Sequence, residues 1–449
     1  MTGGSAMTGN LYICVRMKKL ILIVAVAMLG FGAQSQQRTQ SQQKTQSQQK
    51  AQSQANAVQE MIDALDAPGG LLESSSWGFV AKTIKGETIA TIHAGKRLVP
   101  ASNMKLITTG AALAAYGGNY RMNTRFATDG EIKDSTLTGN LYIIGGGDPI
   151  LGELFSYLPG RDFRKWRDAL KGAGIKRVSG DVVGDGSYFK GERRHHDWSI
   201  EDELTKDGVV PCGLTWRGQM GDSIPDGAYA AALHFKEWLD ADSTIVIEGR
   251  PLEGITPEEA KPIAAVNAPP LREITALTNH WSDNFCAETL LKLVGLKYKA
   301  SDEYGPCTTA LKEAMATFGL REQAAGMRFA DGSGLSRKNY VSPGFMVDFL
   351  YAIGKSRWHR DFIYSLPQPG RPDGTLKNRM QGYPDRGRIY MKSGTMNGIR
   401  CYSGYILSGD RKNDKTIVFS FLVNNFVGDN HNLWITMDRV IATLAERNK

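Results

Sequence analysis

Hydrophobic side chains fall along this chain in three patterns. Leu20–Leu29 is an unbroken apolar run, preceded by Met17-Lys18-Lys19 and followed by the small residues Ala33 and Ser35. A positive segment, an apolar run of about ten residues and small residues at −3 and −1 of a cleavage point make an export signal. The run is too short for a confident membrane span, so membrane attachment is expected only if the signal stays uncleaved. No Cys stands at the cleavage point to take a lipid. Residues 1–16 lie ahead of the signal, which makes Met17 a candidate start. The second pattern is polar throughout: from Ala33 to Asn56 a six-residue unit built on Gln-Ser-Gln repeats. With no apolar side chains to bury, it cannot offset its ordering entropy and reads as a flexible tether.

From Val58 onward apolar positions take helical and strand periods. The Ala-rich stretch that follows Pro100 and runs through Ala115 reads as a helix, as do Leu271–Thr278 and Phe285–Val294. Leu141–Ile144 reads as a strand; Arg388–Met391, Cys401–Leu407 and Thr416–Asn424 read as three antiparallel strands.

Composition narrows the class. With 449 residues, 41% hydrophobic and 22% charged, the chain is not collagen-like, wholly disordered or a polytopic membrane protein. Its length suggests two or three domains. The net charge of +8 does not signal nucleic acid, because no acid precedes Glu60 while six basic residues do, leaving +2 for the body. Cys212, Cys286, Cys307 and Cys401 remain once the leader is removed. In an exported chain they permit disulfides, although their spacing is irregular and Cys286 sits among apolar neighbours.

Common catalytic signatures are missing: no GxSxG elbow, Walker loop, GxGxxG or HExxH occurs. Gly145-Gly146-Gly147-Asp148-Pro149 reads as a tight turn, and His195-His196 as a solvated loop pair with no metal role. Three short motifs remain. Ser102 and Lys105 stand one helical turn apart, so the Lys amine can reach the Ser hydroxyl. Ser needs a base to become a nucleophile, and a Lys serves if burial or a second cation lowers its pKa. Taken alone, Ser102 would be a helix N-cap. Ser282-Asp283-Asn284 falls in the turn between two predicted helices, where Asn is usually a cap. Its functional alternative has the Ser282 hydroxyl relaying a proton and the Asn284 amide gripping a substrate carbonyl. Lys392-Ser393-Gly394-Thr395 lies on the first predicted C-terminal strand. There Gly394 lets a substrate backbone pair along the strand, Lys392 offers a cation, and Ser393 and Thr395 offer hydroxyls to a carboxylate.

SxxK, SDN and a KTG-like triplet in this order are the signature set of penicillin-binding proteins and β-lactamases. Ser282 follows Ser102 by 180 residues, an interval too long for a class A β-lactamase, and no Glu-bearing loop of that class is evident. The chain resembles the exported serine-type D-alanyl-D-alanine carboxypeptidase/endopeptidase family, the low-molecular-mass class C penicillin-binding proteins. The resemblance runs from about Trp77 to Asn424 and includes Gly139–Tyr142, Gly180–Asp185, Ala287-Glu288, Asp331–Arg337 and Asp373–Leu376. Ser393 replaces the family's usual Thr and keeps the hydroxyl.

The resemblance implies an α+β fold, a helical cluster on a five-stranded antiparallel sheet made from both chain ends. The expected layout is a leader (1–35), a tether (36–57), a catalytic domain (58–130 and 264–449) and an inserted accessory domain (131–263) shorter than the family's usual one. It implies Ser102 as nucleophile on the D-Ala-D-Ala carbonyl of peptidoglycan stem peptides, and Lys105 as base, held neutral by Lys392. Ser282 would protonate the leaving amine, Asn284 orient substrate, and Ser393, Gly394 and Thr395 bind it. Asp148 and Arg337 would contact the stem-peptide side chain; read without the resemblance, they are a turn Asp and a surface Arg. β-Lactams would be covalent inhibitors, no cofactor is required, and the location would be the periplasm or cell envelope. A non-catalytic wall-peptide-binding protein and a β-lactamase stand as alternatives.

Overall fold

The computed structural model describes residues 57–152, 161–199, 210–217, 227–409 and 414–447. The expected leader and the tether through residue 56 lie outside them, and residue 57 already belongs to a helix. Among the described residues no helix is long and apolar enough to cross a membrane.

Five antiparallel strands form the main sheet: β1 (Ser76–Thr83), β2 (Thr88–Ile92), β3 (Ile389–Met396), β4 (Ile399–Ile406) and β5 (Ile417–Asn424), in the order β3-β4-β5-β1-β2. Both chain ends contribute, and β1 pairs with β5 from Ser76↔Asn424 to Thr83↔Ile417. Every residue of β4 and β5 is buried, as expected of central strands covered on both faces.

Four helices matter for the site: α1 (Met104–Tyr116), α2 (Leu271–His280), α3 (Asn284–Lys299) and α4 (Pro343–Gly354). Met104 through Leu113 of α1 are all buried, so this helix runs through the interior rather than over a surface. Small residues allow that: a Cβ on Gly110 would sit 2.5 Å from the Phe349 ring of α4. Helix α3 starts with Asp283 as its N-cap, the carboxylate accepting from Cys286 N–H at 2.7 Å. Asn284, expected as the cap, is instead the first helical residue, which leaves its amide available to other partners.

A second five-stranded sheet has the order 251–253, 182–185, 141–144, 123–128, 261–267, with parallel and antiparallel pairs. Asn123–Thr128 and the whole of Lys261–Asn267 belong to it, both reaching past the expected bounds 131–263 of the inserted domain. Those two strands pair with each other along their length. The insertion's core is aliphatic and aromatic, built on Phe126, Phe163, Trp166 and Phe235. Trp166 meets Phe126 edge-on at 5.6 Å, and Phe163 stacks on Trp216 at 4.0 Å.

Candidate active site

Ser102 lies in a 3-10 turn, Ala101–Asn103, directly ahead of α1. Ala101 holds φ +46°, a strained conformation for a residue with a Cβ. The turn is wedged between two backbones. A Cβ on Gly394 of β3 would meet Pro100 O at 2.8 Å, and one on Gly334 would meet Ala101 O at 1.9 Å. Both positions therefore need glycine for the close approach.

Lys105 is fully buried one turn further on. Its Nζ donates to Ser102 Oγ at 3.0 Å, Asn284 Oδ1 at 2.7 Å and the Ser333 carbonyl at 2.7 Å. The first and second motifs thus meet at a single ammonium or amine. Ser282 lies in the turn ahead of α3 with φ +57° and a half-buried side chain. Lys392 is also fully buried, its Nζ on the Ser393 carbonyl at 2.8 Å. Burial first, and the charge of Lys105 second, hold Lys392 well below the usual lysine range. Lys392 and Gly394 point toward the Ser102 turn, while Ser393 and Thr395 alternate to the other face of β3. Ser393 Oγ lies 3.4 Å from Thr375 Oγ1, and Thr375 N–H donates to the His280 carbonyl at the end of α2.

A family model matches residues 58–215 and 219–444, and its description is the D-Ala-D-Ala carboxypeptidase 3 (S13) family. The chain belongs to that family. As an S13 protein it is a serine-type D-Ala-D-Ala carboxypeptidase, a peptidase. A D-alanyl-D-alanine carboxypeptidase of Actinomadura sp. (strain R39) is 28% identical over 435 residues, 78% of each chain. DacB of Haemophilus influenzae is 25% identical over 451 residues, 82% of this chain and 89% of its own. The crystal structure of H. influenzae penicillin-binding protein 4 (dacB) superposes with a TM-score of 0.70 at 21% identity, over 86% of this chain and 99% of that one. The expected penicillin-binding-protein-like fold is therefore the observed one.

The S13 chain places Asp148 and Arg337 at the margins. Asp148 accepts from Ile150 N–H at 3.0 Å, and burial pushes its carboxyl up to about 6. It reaches the second motif through Pro149, whose carbonyl accepts from Arg217 at 3.3 Å. Arg217 in turn pairs with Asp283 through two contacts of 3.0 and 2.9 Å. Burial would raise the Asp283 pKa, but Arg217 and the Cys286 N–H hold it below its usual value. Arg337 is exposed, with Nη1 3.4 Å from the Asn397 carbonyl in the turn after β3.

One expectation changes. His195 is buried rather than solvated and meets Tyr304 edge-on at 4.7 Å, while His196 stays exposed. Ligand atoms of His195, His196 and Asp197 lie within 4.8 Å of one another, although Lys338 already pairs with Asp197. The four described cysteines are free and buried.

The sequence does not point to the support under Lys105. Glu288 on α3 accepts from Gly332 and Ser333 N–H, and Asp331 accepts from Trp198, Gly334, Ser336 and Asn339. Together they fix the loop whose Ser333 carbonyl faces Lys105. Burial, then the neighbouring Asp331, push the Glu288 carboxyl up to about 8. Ala287-Glu288 and Asp331–Leu335 carried the resemblance, which was the available signal; their roles depend on backbone atoms that a sequence does not display.

Proposed function

We propose that this protein is an exported acyl-transferring peptidase of peptidoglycan stem peptides, working as carboxypeptidase, endopeptidase or both. The observation that carries the reading is the position of Lys105 Nζ, 3.0 Å from Ser102 Oγ and 2.7 Å from Asn284 Oδ1, with Lys105 and Lys392 both fully buried.

Ser102 Oγ attacks the carbonyl carbon between two D-Ala residues while Lys105 takes the hydroxyl proton. That requires a neutral amine, and two buried ammonium groups side by side disfavour each other, so Lys105 and Lys392 do not both stay charged. The tetrahedral oxyanion is held by the backbone N–H groups of Ser102 and Thr395, a contribution of about 3–4 kcal/mol for one donor. Collapse breaks the C–N bond, the proton returns to the leaving amine through Ser282, and the terminal residue departs. Asn284 orients the substrate, and Ser393 and Thr395 bind its carboxylate beside Gly394. Asp148 and Arg337 flank the groove on the stem-peptide side. Water then attacks the ester and regenerates Ser102. β-Lactams follow the same first step and stall as the acyl-enzyme. The H. influenzae penicillin-binding protein 4 structure complexed with a β-lactam supports this part of the reading. The apolar run behind Lys18-Lys19 supports export to the periplasm or cell envelope.

Intact-mass spectrometry of residues 36–449 after brief exposure to penicillin tests the reading, with Ser102→Ala alongside. The expected result is one stable penicillin adduct on the wild type and none on the variant. No adduct with intact penicillin would leave a binding protein; no adduct with consumed penicillin would make the chain a β-lactamase.

A further inference from the structure

Among the described residues outside the active site, one group of side chains has the donor chemistry of a metal centre. His195, His196 and Asp197 each bring a ligand atom to within 4.8 Å of the others. His195 Nδ1 stands 3.9 Å from the Asp197 carboxylate, and His196 Nε2 stands 3.5 Å from it. Both separations are too long for good hydrogen bonds. They approach the spacing around a tetrahedral zinc, where bonds of about 2.0–2.1 Å set neighbouring ligand atoms about 3.3 Å apart.

The local fold prepares this group. His195 is 4% exposed and packs edge-on against Tyr304, which fixes its ring. Its Nδ1 lone pair faces the turn that follows, accepting from Asp197 N–H at 3.1 Å. The Asp197 side chain is withdrawn from water as well, whereas His196 is exposed. The two imidazoles stack at 4.6 Å, so joint ligation requires His196 to turn, a small cost for a ring in solvent. Lys338 donates to Asp197 and already places positive charge beside the carboxylate. Its half-exposed side chain can withdraw into water. Glu192 and Glu303 line the same cleft, so acids outnumber the cations Arg328 and Lys338 there.

We propose that His195, His196 and Asp197 bind a divalent first-row transition ion of the zinc class, and that Lys338 holds the place of the cation until it arrives. Two imidazoles and one carboxylate suit zinc; magnesium and calcium take oxygen ligands. Water from the cleft completes the coordination. The next residue, Trp198, donates its indole N–H to Asp331 at 3.0 Å. An ion gripping residues 195–197 therefore braces the loop that carries the Ser333 carbonyl. None of its ligands belongs to the three motifs, and the site does not depend on acyl transfer.

The test is calorimetric titration of chelator-treated protein, residues 36–449, with zinc chloride alone. One zinc should bind per chain, and magnesium chloride should show no binding. His196→Ala, a change in an exposed side chain, should weaken zinc at least 10-fold. Lys338→Met removes the competing ammonium and should tighten it at least 3-fold, which an ion bound elsewhere on the surface would not show. Zinc should also raise the melting temperature of the wild type and leave that of His196→Ala unchanged. Absence of stoichiometric zinc overturns the proposal. Binding that neither variant alters would mean an adventitious ion only and overturns it too. Weakening by His196→Ala without tightening by Lys338→Met would take the ion off Asp197, and the three-residue site would fall.

Discussion

The protein has two hydrophobic interiors that differ in the charge they enclose. Around α1, Lys105, Lys392, Glu288 and Asp331 are all fully buried. The insertion packs mainly on aliphatic and aromatic side chains from Phe126 to Ile247, and its buried acids, Asp162 and Asp185, accept from backbone N–H groups. Charge withdrawn from water is expensive, and a protein stable for its own sake replaces it with hydrocarbon. The contrast therefore separates an interior arranged for reaction from one arranged for cohesion. Arg217 and Asp283 form their ion pair where the two meet.

The contrast can be broken at Lys392, where the largest effect is expected. Lys392→Met should cut the rate of penicillin acylation by about 10²–10⁴, the usual contribution of a proton-handling group. Replacing a fully buried lysine by a hydrocarbon chain of similar length should at the same time hold or raise the melting temperature. A fall in both would mean that the cation stabilises the fold. The reverse should hold in the insertion: Trp166→Ala removes a fully buried indole and should cost about 3–5 kcal/mol in denaturant titration. Its kcat per folded molecule should stay within about 2-fold of wild type, and a larger drop would join the two interiors functionally. At their junction, Arg217→Ala strands the Asp283 carboxylate and should cost about 3 kcal/mol. Because Asp283 caps the helix that begins with Asn284, kcat/KM should also fall, unlike in Trp166→Ala.

The smallest effect is a pH dependence. Glu288 has a folded pKa raised from 4.5 to about 8. Below 4.5 it is protonated in folded and unfolded chains alike, so its stability contribution is fully present. Between 4.5 and about 8 the unfolded chain loses the proton first, and stability declines as pH rises. Glu288→Gln should flatten melting temperature against pH across that window; an unchanged slope would assign the titration elsewhere.

What could be read in the sequence was chemistry held in short contiguous words. Ser102 with Lys105, Ser282 with Asn284, and Lys392 through Thr395 each keep their spacing on one turn or strand, so local geometry brings their atoms together. The antiparallel C-terminal strands were legible for the same reason, their alternation being local. The Ser333 carbonyl was not, because a main-chain oxygen has no letter of its own. The pairing of Asn123–Thr128 with Lys261–Asn267 was not legible either, because it joins segments far apart in the chain.

The pairing of Ser76–Thr83 with Ile417–Asn424 places a deadline on biosynthesis. A ribosome delivers Ser102, Lys105 and Asn284 long before the strand that closes the sheet around them. The segment from Asn123 to Asn267 packs a hydrophobic cluster of its own and can settle while synthesis continues. The main sheet has to wait, with the apolar residues of β1 and α1 uncovered. A nascent chain halted short of Asn424 thus carries Ser102, Lys105 and Asn284 without the finished sheet beside them.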